Sequence, residues 1–160
     1  MSQVNVLFVC LGNICRSPTA EGIFQGIVNE AGLSDKVGID SAGTSDWHVG
    51  YSPDPRSQKA ALSRGCDISH LRGRQVATGD FSAFDYILPM DQQNFIDLEA
   101  LCPTDFNGEL KLFLDYSKQS NFREVPDPYS LGADAFERVL DLVEDASQGL
   151  LAEIRSRYRL

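Results

Sequence analysis

Short, nearly continuous apolar runs alternate along the chain with segments whose apolar residues recur every three to four positions. The first run, 4–10, is rich in β-branched residues, which is typical of a strand buried on both faces of a parallel sheet. Similar short runs predict further strands at 37–42, 84–90 and 110–114. The chain therefore offers four strands, each long enough to cross a small sheet.

The segments between these strands have the apolar spacing of amphipathic helices. The first is predicted to start at Pro18 with Ser17 as its N-cap, because the missing N–H of proline costs nothing there. Further helices are predicted up to a stop at Gly65, over 92–101 and over 134–157. Strands that alternate with helices indicate an α/β fold, with a parallel sheet covered by helices on both faces.

Composition and charge narrow the class of protein. The chain has 160 residues, which suits one domain, and 42% hydrophobic residues argue against disorder. The net charge of −9 argues against a nucleic-acid or anionic-membrane partner. Residues 1–74 hold 7 basic and 7 acidic side chains, whereas residues 75–160 hold 7 basic and 16 acidic ones. The excess negative charge thus lies in the second part of the chain.

The four cysteines bear on compartment and on metal binding. Cys10, Cys15, Cys66 and Cys102 could form two bridges in a secreted protein, but the N-terminus has no basic n-region and no run approaches the ~18 apolar residues of a membrane helix. We therefore expect free thiols, a cytoplasmic location and no membrane insertion. No Cys-x2-Cys or His pair supports a zinc site, and we expect neither a metal nor a cofactor.

The loop that follows the first strand carries the candidate chemistry. It reads Cys-Leu-Gly-Asn-Ile-Cys-Arg-Ser-Pro over residues 10–18. Ligands of parallel sheets bind beyond the carboxyl ends of the strands, and a loop that opens a helix presents N–H groups to an anion. Gly12 and Asn13 tolerate the unusual φ values of such a cradle. The predicted phosphate-binding residues are Leu11, Gly12, Asn13, Ile14, Cys15 and Ser17.

Three side chains of this loop suit thiol chemistry. Cys10, at the strand end, would have its thiolate stabilised by the N–H groups and by Arg16. The planar fork of Arg16 matches two oxygens of a phosphoryl group. The hydroxyl of Ser17 could donate a hydrogen bond to the sulfur. Together these residues predict a thiol-based phosphoryl-transfer site.

The nonapeptide CLGNICRSP resembles the phosphate loop of the low-molecular-weight protein-tyrosine phosphatases. The similarity continues in family order through the segments SAGT (41–44), DWHVG (46–50), PDPR (53–56), RQV (74–76), MD (90–91) and DPY (127–129). It thus spans most of the chain. The resemblance implies a single three-layer domain over 1–160, whose four-stranded parallel sheet we expect in the order 2-1-3-4.

The resemblance also assigns roles to individual residues. Cys10 would attack phosphorus, and Arg16 would bind the phosphate and the transition state. Asp127, which lies between two prolines, would protonate the leaving phenolate and then activate water. The substrates implied are phosphotyrosine-containing proteins, with inorganic phosphate or similar oxyanions in the loop. We expect a monomer or weak dimer that hydrolyses phosphotyrosine and small aryl phosphates.

Further positions would support the site. The resemblance implies that Asn13 and Ser41 hold the cradle, and that Cys15 can form a protective disulfide with the nucleophile. Trp47 and Tyr129 would form aromatic walls for a planar substrate ring.

Two positions depart from the family pattern. Ser130 replaces a second tyrosine, and Leu71 stands where a histidine is common, with His70 one place earlier.

Four other functions compete with this hypothesis. Arsenate reductases of this fold need two further cysteines near the third strand, and residues 80–90 contain none. Protein-arginine phosphatases of the family have a threonine where Ile14 stands, so this chain fits the tyrosine-directed branch. A cysteine phosphoryl carrier should not need both Arg16 and Asp127. A silent phosphopeptide-binding module would be expected to lack Cys10 or Asp127.

Overall fold

A central sheet organises the chain in the computed structural model, which describes residues 2–160; Met1 of the predicted domain lies outside the described residues. Strand β1 (Val4–Cys10) pairs in parallel with β2 (Val37–Gly43) on one side and with β3 (Tyr86–Pro89) on the other. A short strand, β4 (Glu109–Leu110), extends the sheet beyond β3. The order is β2-β1-β3-β4 and every pairing is parallel, so the predicted fold class and strand order are confirmed.

Helices cover both faces of the sheet. They are α1 (Arg16–Glu30), α2 (Pro55–Ser63), α3 (Asp80–Ala83), α4 (Gln92–Leu101), α5 (Ala133–Tyr158) and a 3-10 helix (Phe113–Tyr116). No helix within residues 2–160 is long and apolar enough to cross a membrane.

The side chains of β1 enter two separate cores, as its continuous apolar pattern predicts. Val4, Val6 and Phe8 pack with apolar residues of α1 and α5, on one face of the sheet. Leu7 and Val9 pack on the other face, with a cluster that includes residues of α3 and α4. β1 is therefore the central strand of a three-layer domain, and its carboxyl end is fixed from both sides.

The fourth strand was predicted at 110–114, and this prediction is wrong over most of its length. Only Glu109 and Leu110 pair with β3, and the chain then turns into the 3-10 helix. Phe113 is fully buried, with its ring centroid 4.9 Å from that of Phe8. The apolar run is thus buried by turning towards the core rather than by pairing. Helix α3 was not predicted, and β3 is correspondingly shorter than the expected 84–90.

The start of α1 also differs from the prediction. The helix begins at Arg16 after Cys15, and no side chain caps it. Ser17, the expected N-cap, lies inside the first turn, and its hydroxyl faces the sulfur of Cys10. The first N–H groups of α1 are therefore left without a side-chain cap, at the end of a helix where a negative charge is stabilised.

Candidate active site

The sulfur of Cys10 lies at the carboxyl end of β1, inside the loop that connects it to α1. Cys10 is buried, with its Sγ 3.0 Å from Ser17 Oγ, and it accepts a hydrogen bond of 3.3 Å from the backbone N–H of Asn13. Asn13 has a φ of 56°, in the left-handed region that asparagine tolerates better than most residues. This turn brings the Asn13 N–H to the sulfur, as the sequence predicted for a cradle.

The side chain of Asn13 determines which way the hydrogen bonds in the loop run. The backbone N–H of Arg74 can only donate, and it lies 3.0 Å from Asn13 Oδ1. Asn13 Nδ2 therefore faces the two serines, donating to Ser17 Oγ at 2.8 Å and to Ser41 Oγ at 2.9 Å. Since Ser17 accepts from Asn13, it has its own proton to donate, and its acceptors are the Cys10 sulfur at 3.0 Å and the more distant carbonyl of Ala42 at 3.4 Å.

Two glycines allow the loop to lie this close to its neighbours. A Cβ on Gly43 would lie 2.7 Å from the carbonyl oxygen of Leu11, and one on Gly12 would lie 2.9 Å from the ring of His48. The loop is further held by Thr44 and Ser45, whose N–H groups donate to the carbonyls of Cys10 and Leu11 at 2.9 and 3.0 Å. A larger residue at Gly43 would collide with the backbone of the loop, and one at Gly12 would collide with the His48 side chain.

Arg16 is a buried cation, and its guanidinium is held by residues from later parts of the chain. Its Nη1 lies 2.6 Å from Asp91 Oδ2 and donates to the carbonyl of Val125 at 3.1 Å, while Nη2 lies 3.7 Å from Asp127 Oδ2. Burial disfavours its charge, but the neighbouring Cys10 and the Asp91 carboxylate outweigh burial and raise the pKa of Arg16. The guanidinium therefore stays charged and oriented beside the sulfur.

The predicted catalytic side chains meet around a cavity of about 50 Å³. A water molecule needs roughly 10–15 Å³ of such space, so the cavity has room for a small tetrahedral anion but not for a whole aromatic phosphate. Asp127 is about half exposed at its mouth, and one carboxylate oxygen accepts the N–H of Tyr129 at 3.1 Å. The lining residues are Cys10, Gly12, Ile14, Cys15, Arg16, His48, Asp127 and Tyr129.

Of the two predicted aromatic walls, only Tyr129 lines this cavity. Trp47 is 68% exposed and lies outside the lining, on the rim loop. The adjacent His48 takes a place in the wall, with its ring centroid 6.4 Å from that of Tyr129. The motif DWHVG contains both residues, but its pattern does not show which of them faces the cavity.

Tyr129 is held in position by Arg56. The Arg56 guanidinium donates to the Tyr129 carbonyl at 2.9 Å, lies 5.5 Å from the centre of its ring, and pairs with Asp54 at 2.8 Å. Asp54 also caps α2 and donates its own N–H to the carbonyl of Ile14 at 2.8 Å. The motif PDPR thus links the wall of the cavity to the loop.

Cys15 lies on the wall of the cavity as a buried, free thiol. Burial raises the pKa of Cys15 to about 12, although a hydrogen bond with Ser57 acts in the opposite direction. It packs in a small apolar cluster with Ile14 and Phe136. Cys66 and Cys102 lie elsewhere, half-buried and also free, and burial raises the pKa of both.

Several residues near the site were not predicted to take part in it. Asp91, which the sequence analysis names only as part of the segment MD (90–91), is the anchor of Arg16, and Val125 supplies a carbonyl to the same guanidinium. Glu21 accepts a hydrogen bond from Ser41 at 2.6 Å. Their contacts link positions far apart in the sequence, which no local pattern reveals.

No group of three or more His, Cys, Asp or Glu side chains within residues 2–160 is arranged to hold a metal ion.

The chain is thus a parallel α/β protein whose first strand ends at a buried cysteine, in a loop that opens a helix. The family model described as low molecular weight phosphotyrosine protein phosphatase matches residues 5–159. The chain therefore belongs to this family, and the expectation that it is an enzyme of the protein-tyrosine-phosphatase class is confirmed at that level.

Individual relatives agree with this assignment. The chain is 40% identical over 158 residues to a low molecular weight protein-tyrosine-phosphatase of Bacillus subtilis, with 99% of this chain and 100% of the relative covered. The crystal structure of a protein tyrosine phosphatase from Entamoeba histolytica matches with a TM-score of 0.94 at 38% identity, covering 97% of this chain and 99% of that one. A Drosophila arginine phosphatase matches with a TM-score of 0.87 at 32% identity, covering 94% and 97%.

Proposed function

We propose that this enzyme hydrolyses phosphotyrosine and small aryl phosphates through a phosphocysteine intermediate. The observation that carries the proposal is one small cavity that holds the Cys10 sulfur, the Arg16 guanidinium and the Asp127 carboxyl group. A nucleophile, a cation for the transferred oxygens and a carboxyl group at the mouth are the parts that aryl phosphate hydrolysis requires.

In the first step the Cys10 sulfur attacks phosphorus and the bond to the phenolic oxygen breaks. Arg16 and the N–H groups of residues 11–17 bind the phosphoryl oxygens, where they stabilise the charge of the transition state. Asp127 gives its proton to the phenolate as it leaves. The contact between Asp127 and Arg16 keeps this carboxyl group next to the transferred group.

In the second step water attacks the phosphocysteine and inorganic phosphate is released. Asp127, now ionised, takes the proton of this water. The sulfur leaves as a thiolate, which accepts hydrogen bonds from the Ser17 hydroxyl at 3.0 Å and from the Asn13 N–H at 3.3 Å. Asn13 and Ser41 support the step indirectly, since they hold Ser17 in the donating orientation.

The substrate ring must lie outside the small cavity. We infer that Tyr129 forms one wall for it and that Trp47 contributes from the rim. Ile14 adds an apolar surface at the same mouth.

The natural substrates in this proposal are phosphotyrosine-containing proteins in the cytoplasm. The enzyme acts on them as a monomer or weak dimer, without nucleic-acid or membrane partners. Analytical ultracentrifugation and cell fractionation test the oligomeric state and the location.

One alternative has a specific observation in its favour, the similarity to the Drosophila arginine phosphatase. Ile14 lines the cavity here, and its side chain offers no hydroxyl to a guanidinium group. Tyrosine is therefore the preferred substrate residue in our proposal.

The test is one assay series with phosphotyrosine, phosphoserine, phosphoarginine and arsenate, without added metal. We expect the wild type to prefer phosphotyrosine and Cys10→Ser to lose turnover completely. Asp127→Ala should slow turnover of an aryl phosphate by ~10²–10⁴-fold, the usual scale for loss of a general acid. Phosphate release and arsenite formation are the quantities measured.

Three outcomes contradict the proposal: activity retained in Cys10→Ser, a requirement for divalent metal, or faster hydrolysis of phosphoarginine than of phosphotyrosine.

Cys15 has a further proposed role as the partner of Cys10 in a reversible disulfide. After peroxide treatment, thiol should restore the wild type more completely than Cys15→Ser. Equal recovery of the two proteins removes that role.

A further inference from the structure

We propose that Glu21 is a positioning residue for the Cys10 site, and that its ionised carboxylate anchors a relay of hydrogen bonds through Ser41, Asn13 and Ser17. The inference rests on the proposed function, because it concerns the same nucleophile. Glu21 lies on α1, two side chains away from Ser17 along the relay, and it takes no direct part in the chemistry described above.

The relay is continuous and each of its distances is that of a hydrogen bond. Ser41 Oγ lies 2.6 Å from Glu21 Oε1, Asn13 Nδ2 lies 2.9 Å from Ser41 and 2.8 Å from Ser17, and Ser17 lies 3.0 Å from the sulfur. Ser41, Asn13 and Ser17 are all buried. Because these three side chains are shielded from solvent, water does not replace the hydrogen bonds that connect Glu21 to Ser17.

The strength of this relay depends on the protonation of Glu21. Since Asn13 Nδ2 donates to Ser41, the Ser41 proton points to Glu21, and a carboxylate is the acceptor that this arrangement needs. A protonated Glu21 still has one acceptor oxygen, but this oxygen carries no charge. Its hydrogen bond with Ser41 is therefore weaker than that of a carboxylate, and the hold on Asn13 weakens.

The surroundings of Glu21 make this protonation accessible near neutral pH. Burial and the nearby Asp40 carboxylate raise the pKa of Glu21 to about 7 from an ordinary value of 4.5, although Ser41 and Arg74 act in the opposite direction. Arg74 does not neutralise Glu21 directly, because its guanidinium is engaged with Asp40 at 3.1 Å and with Asp80 at 3.0 and 3.1 Å.

Glu21 also borders a polar groove of about 590 Å³ between α1, α5 and the segment after α2. This groove supplies a route for protons from the solvent. The other charged or titratable side chains that line it are Glu30, Arg64, Cys66, Asp67, His70 and Glu144. Arg64 is engaged with Glu137, Asp141 and Glu144, so it is not available to Glu21.

The first experiment compares the pH profiles of the wild type and Glu21→Gln on an aryl phosphate. The glutamine keeps an oxygen for the Ser41 proton but does not titrate. Effects of pH on the substrate, Cys10 and Asp127 are common to both proteins. They therefore cancel when the kcat/KM of the wild type is divided by that of Glu21→Gln. We expect this ratio to rise with pH about threefold or more, with its midpoint near 7.

Three further variants sharpen the result. Asp40→Asn removes a negative neighbour of Glu21, so the midpoint of the ratio between Asp40→Asn and the double variant Asp40→Asn/Glu21→Gln should move to lower pH. Glu21→Leu offers no acceptor to Ser41, and its kcat/KM should fall below that of Glu21→Gln at every pH. A merely structural role for Glu21 would lower activity without moving a pH midpoint.

Unfolding supplies a readout that needs no activity. The raised pKa of Glu21 means that the folded state holds a proton more tightly than the unfolded chain. Relative to Glu21→Gln, the wild type should therefore lose stability in urea as pH rises from about 4.5 through about 7. Carbon NMR of labelled glutamate should show the same midpoint.

The outcomes separate the relay from the phosphatase proposal. A flat ratio in an active enzyme, or an unchanged midpoint in the Asp40→Asn pair, overturns the relay and leaves the phosphatase proposal intact. No hydrolysis of any phosphate ester, together with a Glu21 midpoint near 7 by NMR, overturns the phosphatase proposal. In that case the affinity of Cys10's loop for inorganic phosphate, measured by calorimetry for wild type and Glu21→Gln against pH, decides the relay.

Discussion

Arg16 shows how a single side chain depends on residues that the sequence places far away. Its partner Asp91 uses both carboxylate oxygens, one for Arg16 at 2.6 Å and one for the N–H of Asn94 at 2.8 Å. The second contact caps α4, because Asp91 is the N-cap of that helix. One carboxylate therefore orients the guanidinium and fixes the helix that follows β3.

Asp91→Asn separates these two roles, because asparagine caps helices about as well as aspartate. We expect kcat/KM for an aryl phosphate to fall by about tenfold to a hundredfold, and the free energy of unfolding in urea to fall as well, because the buried Arg16 loses its charged anchor. Asp91→Ala is the matched variant that also loses the cap, and it should be less stable than Asp91→Asn by about 1 kcal/mol. Unchanged kinetics in Asp91→Asn would show that Val125 and Asp127 alone orient Arg16.

At this scale the sequence singles out the residues of one contiguous loop but not the residues that support them. Cys10, Arg16 and Ser17 lie within eight positions, so their spacing and chemistry were enough to propose a shared site. Asp91 is 75 positions from Arg16, and its pairing depends on how β3 lies beside β1. The exposure of Trp47 and the place of the half-buried His48 in the cavity wall depend on the path of the rim loop, which the pattern of DWHVG leaves open.

At the scale of elements, the pattern predicted β1 and α4 with their observed bounds, because β1 is a continuous apolar run, α4 has helical apolar spacing, and each has a clear end. The predicted strand at 110–114 was wrong over most of its length, because a short apolar run fits a strand and a buried turn equally well. The choice is made by tertiary contacts. Phe113 and Tyr116 are buried against the sheet and α5, a contact between parts of the chain that no local period encodes.

The contact between the 3-10 helix and α5 gives a test at Gly149. Glycine within a helix is unfavourable by about 1 kcal/mol relative to alanine, so propensity alone predicts that Gly149→Ala stabilises the protein. The structure predicts the opposite sign, because a Cβ there would collide with the carbonyl oxygen of Tyr116. We expect a loss of about 1–3 kcal/mol in the free energy of unfolding, measured in urea.

Gly26 of α1 provides the matched control. A Cβ at this exposed helical position meets no atom within 4 Å. Gly26→Ala should therefore follow propensity and raise the free energy of unfolding by up to about 1 kcal/mol. Equal effects of the two substitutions would mean that α5 shifts away from Tyr116 at little cost.

For the molecule as a whole, the net charge of −9 does not describe the site. The loop lies in the charge-balanced first part of the chain, and the attraction for an anion comes from Arg16 and converging N–H groups over a few ångströms. Charges beyond ~8 Å are largely screened at physiological salt. Asp127 is the acidic residue from the second part of the chain that enters the cavity.

The surplus of acidic side chains should instead affect which phosphopeptides approach. Among phosphotyrosine peptides of one length, we expect kcat/KM to be about threefold or more higher with lysine or arginine flanks than with aspartate or glutamate flanks at low ionic strength. The difference should shrink as salt is added, while turnover of a small aryl phosphate changes less. A preference for acidic flanks that persists in salt would contradict this expectation.

Asn13 ties the loop to β2 through Ser41 and to the segment after α2 through Arg74. The chain around the sulfur is thus ordered by contacts that the protein makes with itself. An incoming oxyanion need not supply the free energy to organise the loop, so little conformational entropy is lost when it binds. Because the loop is preorganised, the few contacts that a cavity of only about 50 Å³ can make all serve to stabilise the reacting group.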